Sequence, residues 1–302
     1  MKIAILMSTY NGHEYLNEQL KSIANQTVVE QISLYIRDDG STDDTVEIIE
    51  RWKSKINIIF LQGKNVGPAM SFWELLMNPE IHADYYALCD QDDIWDCNKL
   101  EYAINALREQ KNISLWCSNC RIIDSKGNTI RKKMNDQIPE FSINSQIVCG
   151  TTQGCAMVFD DKLREYIKEK RISGYPMHDF VIMTYAIAFG GVIYEDTPLF
   201  GYRVHENNVI AKEGKGIIKK FIGSFNRWFS KENKNELSKY LEIFCENNRK
   251  YLDESMLKFL EDICDSTSSI YKRFKVISDP KCKSFNKKSE RTFKIRVLLG
   301  VI

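Results

Sequence analysis

The chain reads as an α/β protein: a mostly parallel sheet flanked by helices, with a helical C-terminal extension. Three observations carry this reading. Short apolar runs begin at residues 3, 32, 56 and 85, and the first three are each followed by apolar residues at helical spacing. The runs recur every 24 to 29 residues, the length of a strand plus its returning helix, and repeated units of that kind build parallel sheets. Each run also ends in polar residues, and such sheets bind ligands outside the carboxyl ends of their strands.

In order, Ile3 to Met7 is a strand, and His13 to Asn25 a helix with Tyr15, Leu16, Leu20 and Ile23 on one face. Ile32 to Ile36 is the second strand. Asp44 to Trp52 is the second helix, through Val46, Ile48, Ile49 and Trp52. Ile56 to Leu61, Gly67 to Met77 and Tyr85 to Cys89 continue the alternation, and Phe180 to Phe189 is an apolar run consistent with a buried helix. Beyond about residue 212 the strand pattern stops. Gly216 to Lys231 reads as an amphipathic basic helix, followed by helices near 235 to 250 and 253 to 272 and a basic tail ending at Ile302. The division expected is therefore 1–212 and 213–302.

At 302 residues the chain suffices for one large or two ordinary domains with a sizeable core. The formal charge of +1 hides an asymmetry: residues 270–302 hold ten Lys/Arg against two acids. Basic residues among aromatics suit an anionic bilayer surface, and the same region also reads as a packed helical extension or a dimer contact. No known nucleic-acid motif accompanies the charge. Nine scattered cysteines and an N-terminal apolar run too short for a secretory signal point to a reducing cytosol, with peripheral attachment to the inner face of the membrane open. The pair Cys117 and Cys120 stands without a clear second pair and reads as core. No run approaches the roughly 18 apolar residues of a membrane span.

The four strand ends carry Ser8 to Gly12, Arg37 to Asp43, Gly63 to Gly67 and Asp90 to Asp93. All should converge on one crevice. Each has a plain explanation too: Asn11-Gly12 is a turn, Ser41 or Thr42 can cap a helix, and Gly67-Pro68 can start one. Asp90, Asp92 and Asp93 lie within four positions and repel one another unless a cation sits among them. A hard divalent ion, Mg²⁺ or Mn²⁺, takes such oxygen ligands and leaves room for phosphate. The alternative is a solvated acidic turn capping the next helix through Asp96 or Asn98.

Ser-Thr-Tyr-Asn-Gly after the first strand, Asp-Asp-Gly-Ser-Thr-Asp after the second and Asp-Gln-Asp-Asp-Ile-Trp after the fourth resemble the inverting, metal-dependent glycosyltransferases of family 2, which have the GT-A (Rossmann-like) fold. The resemblance covers about residues 1 to 210. Gln153 to Met157, His178-Asp179-Phe180 and Tyr202 to Asn208 are most similar to its bacterial rhamnosyltransferase-like branch. The resemblance implies a pyrimidine nucleoside diphosphate donor, with dTDP-rhamnose the branch's example, and a glycan or lipid-linked acceptor. It implies that Asp38 accepts the imide hydrogen of the base, with Asp39 beside it and Thr9 and Tyr10 lining the pocket. Asp90 would lie against ribose or metal, Asp92 and His205 would be metal ligands, and Arg203 would meet the diphosphate. Asp93 would either back these ligands or cap a helix. Asp179 would be the base, and Gln153 and Gly154 would lie by sugar or acceptor. His178, standing where the family commonly has Glu, would touch acceptor, orient Asp179 or pack.

Two rivals share these features. A sugar nucleotidyltransferase would carry a Gly-rich, basic loop after the first strand, and Ser8 to Gly12 has none. A non-catalytic sugar-nucleotide-binding module would keep the fold without needing Asp179.

Overall fold

The computed structural model describes residues 1–170, 177–205 and 235–302. The basic stretch 216–231 lies outside them. The chain divides into two compact units, the first comprising Met1–Ile138, Thr152–Lys168 and Met177–Val204.

In the first unit, strands β1 (Ile3–Thr9), β2 (Ile32–Asp38), β3 (Ile58–Gln62) and β4 (Tyr85–Cys89) run parallel. They alternate with helices α1 (Leu16–Ala24), α2 (Thr45–Trp52) and α3 (Pro68–Met77), as the periodicity requires. Ile3 to Met7 are all buried, because helices cover both faces of a parallel sheet and a central strand then needs a continuous apolar run. Pro68 opens α3 directly after Gly67, whose φ of 83° favours glycine.

The large sheet has seven strands in the order β10-β6-β9-β4-β1-β2-β3, where β6 is Leu115–Ser118, β9 is Met157–Asp160 and β10 is Val192–Glu195. Strand β9 runs antiparallel between β4 and β6. A smaller sheet joins β5 (Ile94–Trp95), β11 (Phe200–Arg203), β7 (Arg121–Ile123) and β8 (Thr129–Arg131). Helix α4 (Lys99–Arg108) follows β5, α6 (Asp161–Lys168) follows β9, and α7 is His178–Phe189. Val181 to Ala186 on α7 are all buried, which fits a helix apolar on every side.

The strand ends are tied together. Asp39 N donates to Thr9 O at 2.7 Å and Gly63 N to Asp38 O at 2.8 Å, so the loops after β1, β2 and β3 start from one fixed edge. The expected caps differ. Ser41 and Thr42 precede α2 without capping it; Asp43 Oδ1 accepts from Thr45 N at 3.0 Å instead. Asp96 pairs with Arg121, and Asn98 makes no side-chain bond to α4.

The second unit comprises Pro139–Thr151, Glu169–Pro176 and His205–Ile302. Its described part holds α5 (Ile143–Cys149) and helices Glu236–Asn248, Glu254–Asp265, Ile270–Ser278 and Lys287–Leu299. They bury Leu241, Phe244, Phe259, Leu260, Val276, Phe293 and Val297. The expected single helix at 253 to 272 is two, because Ser269 accepts from Lys272 N and begins a new one. Among the described residues no helix is long and apolar enough to cross a membrane.

Glu290 anchors the last of these helices. Its carboxylate accepts from Lys294 Nζ at 2.6 Å, Ser284 N at 3.1 Å and Lys287 Nζ at 3.1 Å, and these bonds hold its pKa down to about 2. The folded value lies below the unfolded one, so its stabilisation is full above about pH 4.5 and is lost as the pH falls toward 2. Lys287 reaches into water, which limits the effect to about 1–2 kcal/mol. Glu290→Gln is expected to lower unfolding free energy by that amount near neutral pH. Urea titrations should show the gap to wild type narrowing as the pH falls from about 4.5 and closing toward about pH 2.

Candidate active site

Strand β4 stops at Cys89, level with Met7, while β1 runs on to Thr9 beside Asp38. The chain passes from β1 outward to β2 and β3 and then returns to place β4 on the other side of β1. The crevice between β1 and β4 is therefore the topological switch point. Asp90 opens it. Burial first, then Asp92, pushes the Asp90 carboxyl up to about 7, and Asp179 adds to the effect. Acids distant in sequence thus share one field at the mouth of β4.

Asp90, Asp93 and Cys155 each offer a ligand atom within 4.8 Å of one another. Asp93 is fully buried; its Oδ1 accepts from Arg203 N at 3.2 Å, and its Oδ2 is buried with no hydrogen-bond partner. It caps no helix and lies beneath the two half-exposed acids, Asp90 and Asp92. Lys99, which the sequence reading passed over, is buried at the start of α4. Its Nζ donates to Cys155 O at 2.6 Å and lies 3.7 Å from the Trp95 ring centroid. Burial lowers its pKa to about 8, while Cys155, Cys89 and Asp93 act to raise it. Lys99 is a fixed counter-charge behind the acids.

Arg203, expected at a diphosphate, is fully buried and engaged elsewhere. It donates from Nε to Asp92 O at 2.8 Å, from Nη1 to Ser125 O at 2.8 Å and Asp124 O at 3.2 Å, and from Nη2 to Glu18 at 2.5 Å. Its guanidinium also lies over Tyr15. It positions the acidic loop and is not free to meet a phosphate.

The second loop is corrected in the same way. Asp38 was expected to offer a free acceptor, yet it is buried and both oxygens are used. Oδ1 accepts from Gly40 N and Ser41 N, and Oδ2 from Thr9 Oγ1 at 2.9 Å and Ser41 Oγ at 2.5 Å. Thr9 is buried with its hydroxyl spent on that bond. Asp39 is buried too, accepting from Arg37 Nη1 at 2.6 Å, Val66 N at 2.9 Å and Gly67 N at 2.8 Å, so it ties β2 to the loop before α3. Tyr10 remains 48 % exposed. Its backbone is gripped by Gln91, which accepts from Tyr10 N at 2.9 Å and donates to Tyr10 O at 3.1 Å. Gln91, between the acids, carries no expectation from the sequence.

Helix α7 begins close to the end of β4, with the Gly154 turn touching both. Asp179 lies in its first turn, half-exposed, with Oδ1 accepting from Phe180 N at 2.7 Å. His178 is buried and stacked on Phe72, ring centroids 4.1 Å apart, with Nδ1 lacking a partner. Burial lowers its pKa. Of the three roles open to it, packing is the one its stacking on Phe72 displays. Gly154 begins the turn Gly154–Ala156, and a Cβ there would sit 3.2 Å from Asp179 Cβ and from His178 Nε2. Only glycine lets that turn approach α7 so closely. Gln153 is half-buried and donates to Met134 Sδ. Cys117 and Cys120 are buried free thiols. His205 falls in the second unit.

The family model described as Glycosyl transferase family 2 matches residues 4–167. The chain belongs to glycosyltransferase family 2. Its family 2 relatives include the dTDP-rhamnosyl transferase RfbG of Shigella flexneri, 31 % identical over 239 residues, covering 74 % of this chain and 81 % of that one. An uncharacterized glycosyltransferase of Haemophilus influenzae is 34 % identical over 131 residues, covering 43 % and 51 %. Among solved structures, Staphylococcus aureus TarS 1–349 in complex with UDP-GlcNAc aligns over 99 % of this chain and 89 % of its own, with TM-score 0.59 at 16 % identity. The mannosyltransferase PcManGT of Pyrobaculum calidifontis, in complex with GDP-Man and Mn²⁺, aligns over 98 % and 87 % with TM-score 0.54 at 12 % identity. These likenesses establish the GT-A fold.

A family 2 enzyme of this fold raises the question of a cation, and the donor set answers it in part. Asp90 and Asp93 supply hard oxygens, including the unpartnered Oδ2 of Asp93. Burial holds the Cys155 thiol protonated, with a pKa well above its ordinary value. A neutral thiol is a poor ligand for Mg²⁺ or Mn²⁺. The carboxylates fit such an ion; the sulfur does not.

Two substitutions test this architecture. Arg203→Lys keeps the charge but cannot span three carbonyls and Glu18, and should lower unfolding free energy by about 3 kcal/mol in urea titrations. Gly154→Ala should press on Asp179 and cut turnover about tenfold, with a stability loss of about 1 kcal/mol.

Proposed function

We propose that this glycosyltransferase moves a sugar, with inversion, from a pyrimidine nucleoside diphosphate to a bacterial surface glycan or its lipid-linked precursor. The carrying observation is Asp179, set in the first turn of α7 against the Gly154 turn and near enough to Asp90 to raise its carboxyl. The relative printed as a dTDP-rhamnosyl transferase makes dTDP-rhamnose the donor of choice, and the UDP-GlcNAc and GDP-Man complexes of the structural neighbours support a nucleotide sugar.

In this reading residues 1–212 are the catalytic part and 213–302 a basic region whose described residues are helical. Tyr10, exposed at the end of β1, stacks on the base, while Thr9, Asp38 and Asp39 shape the loop beneath it. Asp90 and Asp92, with the unpartnered Oδ2 of Asp93 beneath them, would hold Mg²⁺ or Mn²⁺. When bound, that ion neutralises charge developing on the departing diphosphate. Gln153 and Gly154 border the acceptor. Asp179 takes the proton from the acceptor hydroxyl as it attacks the anomeric carbon from the face opposite the leaving group. One of its oxygens is fixed by the Phe180 amide, so the carboxylate is oriented before substrate arrives.

Nucleotide sugars screened for nucleoside diphosphate release should give one preferred donor, with release stopped by a chelator and restored by Mn²⁺. Asp179→Asn should lower turnover by about a thousandfold or more while donor affinity, read by calorimetry, changes less than about threefold. Turnover surviving in that variant would sink the assignment of the base. Asp92→Asn should instead weaken the metal dependence.

A further inference from the structure

The second unit carries an outward surface that the catalytic reading does not use. On helix Ile270–Ser278 only Val276 is buried. Ile270, Tyr271 and Phe274 are 66, 75 and 58 % exposed. At one hundred degrees per residue these three fall within one narrow arc, so the helix turns an aromatic face to solvent. Such a cluster is unusual on a surface unless something covers it.

Helix Lys287–Leu299 repeats the pattern. Its buried residues are Glu290, Phe293 and Val297. The opposite face has Lys288 and Arg291 exposed in its first half and Ile295, Leu298 and Leu299 exposed in its last turns. Arg273 Nη1 donates to Leu298 O at 3.2 Å, which brings the apolar end of this helix beside the aromatic one. The charges then divide in two. Lys272 and Lys275 pair with Asp262, and Lys287 and Lys294 with Glu290. Lys283, Lys288 and Arg291 are exposed and make no ion pair among the described residues.

We infer that this face docks on an anionic lipid bilayer, with Tyr271 and Phe274 entering the headgroup region and Lys283, Lys288 and Arg291 meeting lipid phosphates. Charge complementarity selects that occupant. A second copy of the chain would bring the same unpaired cations against themselves, whereas an anionic surface neutralises them and accepts the aromatic rings. The stretch 216–231, singled out earlier for its basic and aromatic content, is not needed for this; the surface stands on 270–299 alone.

The test is vesicle co-sedimentation of the full chain, with phosphatidylcholine alone and with about one third phosphatidylglycerol. Binding is expected only to the anionic vesicles and should weaken steeply with salt. Tyr271→Ser with Phe274→Ser should lower the partition coefficient about tenfold or more, and Lys283, Lys288 and Arg291 changed together to Gln on the order of a hundredfold. All five side chains are exposed, so circular dichroism and donor hydrolysis should match wild type. Equal binding to both vesicles, no binding, or unchanged binding by both variants would overturn the inference. So would a concentration-dependent dimer, without lipid, that the serine variant abolishes.

Discussion

Everything at the mouth of this sheet depends on how three carboxylates can stand within four residues of one another. Burial raises the Asp90 and Asp93 carboxyls toward their neutral forms, and two buried basic side chains fix the loop that carries them. Arg203 reaches up from β11 to bind the carbonyl of Asp92 while its own amide bonds Asp93, and Lys99 sits behind on the faces of Trp95 and Phe200. Neither cation lies where a substrate could claim it, so the acids are held in place before any ligand arrives. A buried charge is tolerable only when its hydrogen bonds are met. Here the carbonyls of Asp92, Asp124, Ser125 and Cys155 meet them, and in doing so they fix the loops that carry the chemistry.

The same logic separates the motif residues into two kinds. Tyr10, Asp90, Asp92 and Asp179 keep surface. Thr9, Asp38, Asp39, Asp93, His178 and Arg203 lose it and hold the first group in position. A short run such as Asp-Asp-Gly-Ser is thus a scaffold as well as a site: one acid closes its own turn and the next staples the neighbouring loop.

The first four strands were legible in the sequence because each is long enough to show its apolar run and each is followed by a helix at regular spacing. The small sheet was not, since strands of two to four residues such as Ile94–Trp95 have too few positions to display a period. Strand β9 hid for a related reason: its antiparallel entry between β4 and β6 breaks the repeat that made the rest readable. Within the site, residue type marked candidate positions but not which way they face. An arginine beside acids looks the same in sequence whether it meets phosphate or carbonyl. Lys99 and Gln91 gave no signal at all, since their importance lies in partners distant along the chain.

Gln91 sets how two of the strand-end loops sit against each other. Its amide clasps the backbone of Tyr10, and Gly12 leaves just the room that amide needs. The loop after β1 and the acid-bearing loop are therefore buckled through a residue that is itself neither acid nor aromatic. Exchanging that side chain would shift one loop against the other without removing a single carboxylate, so their spacing hangs on the one uncharged letter inside the acidic motif.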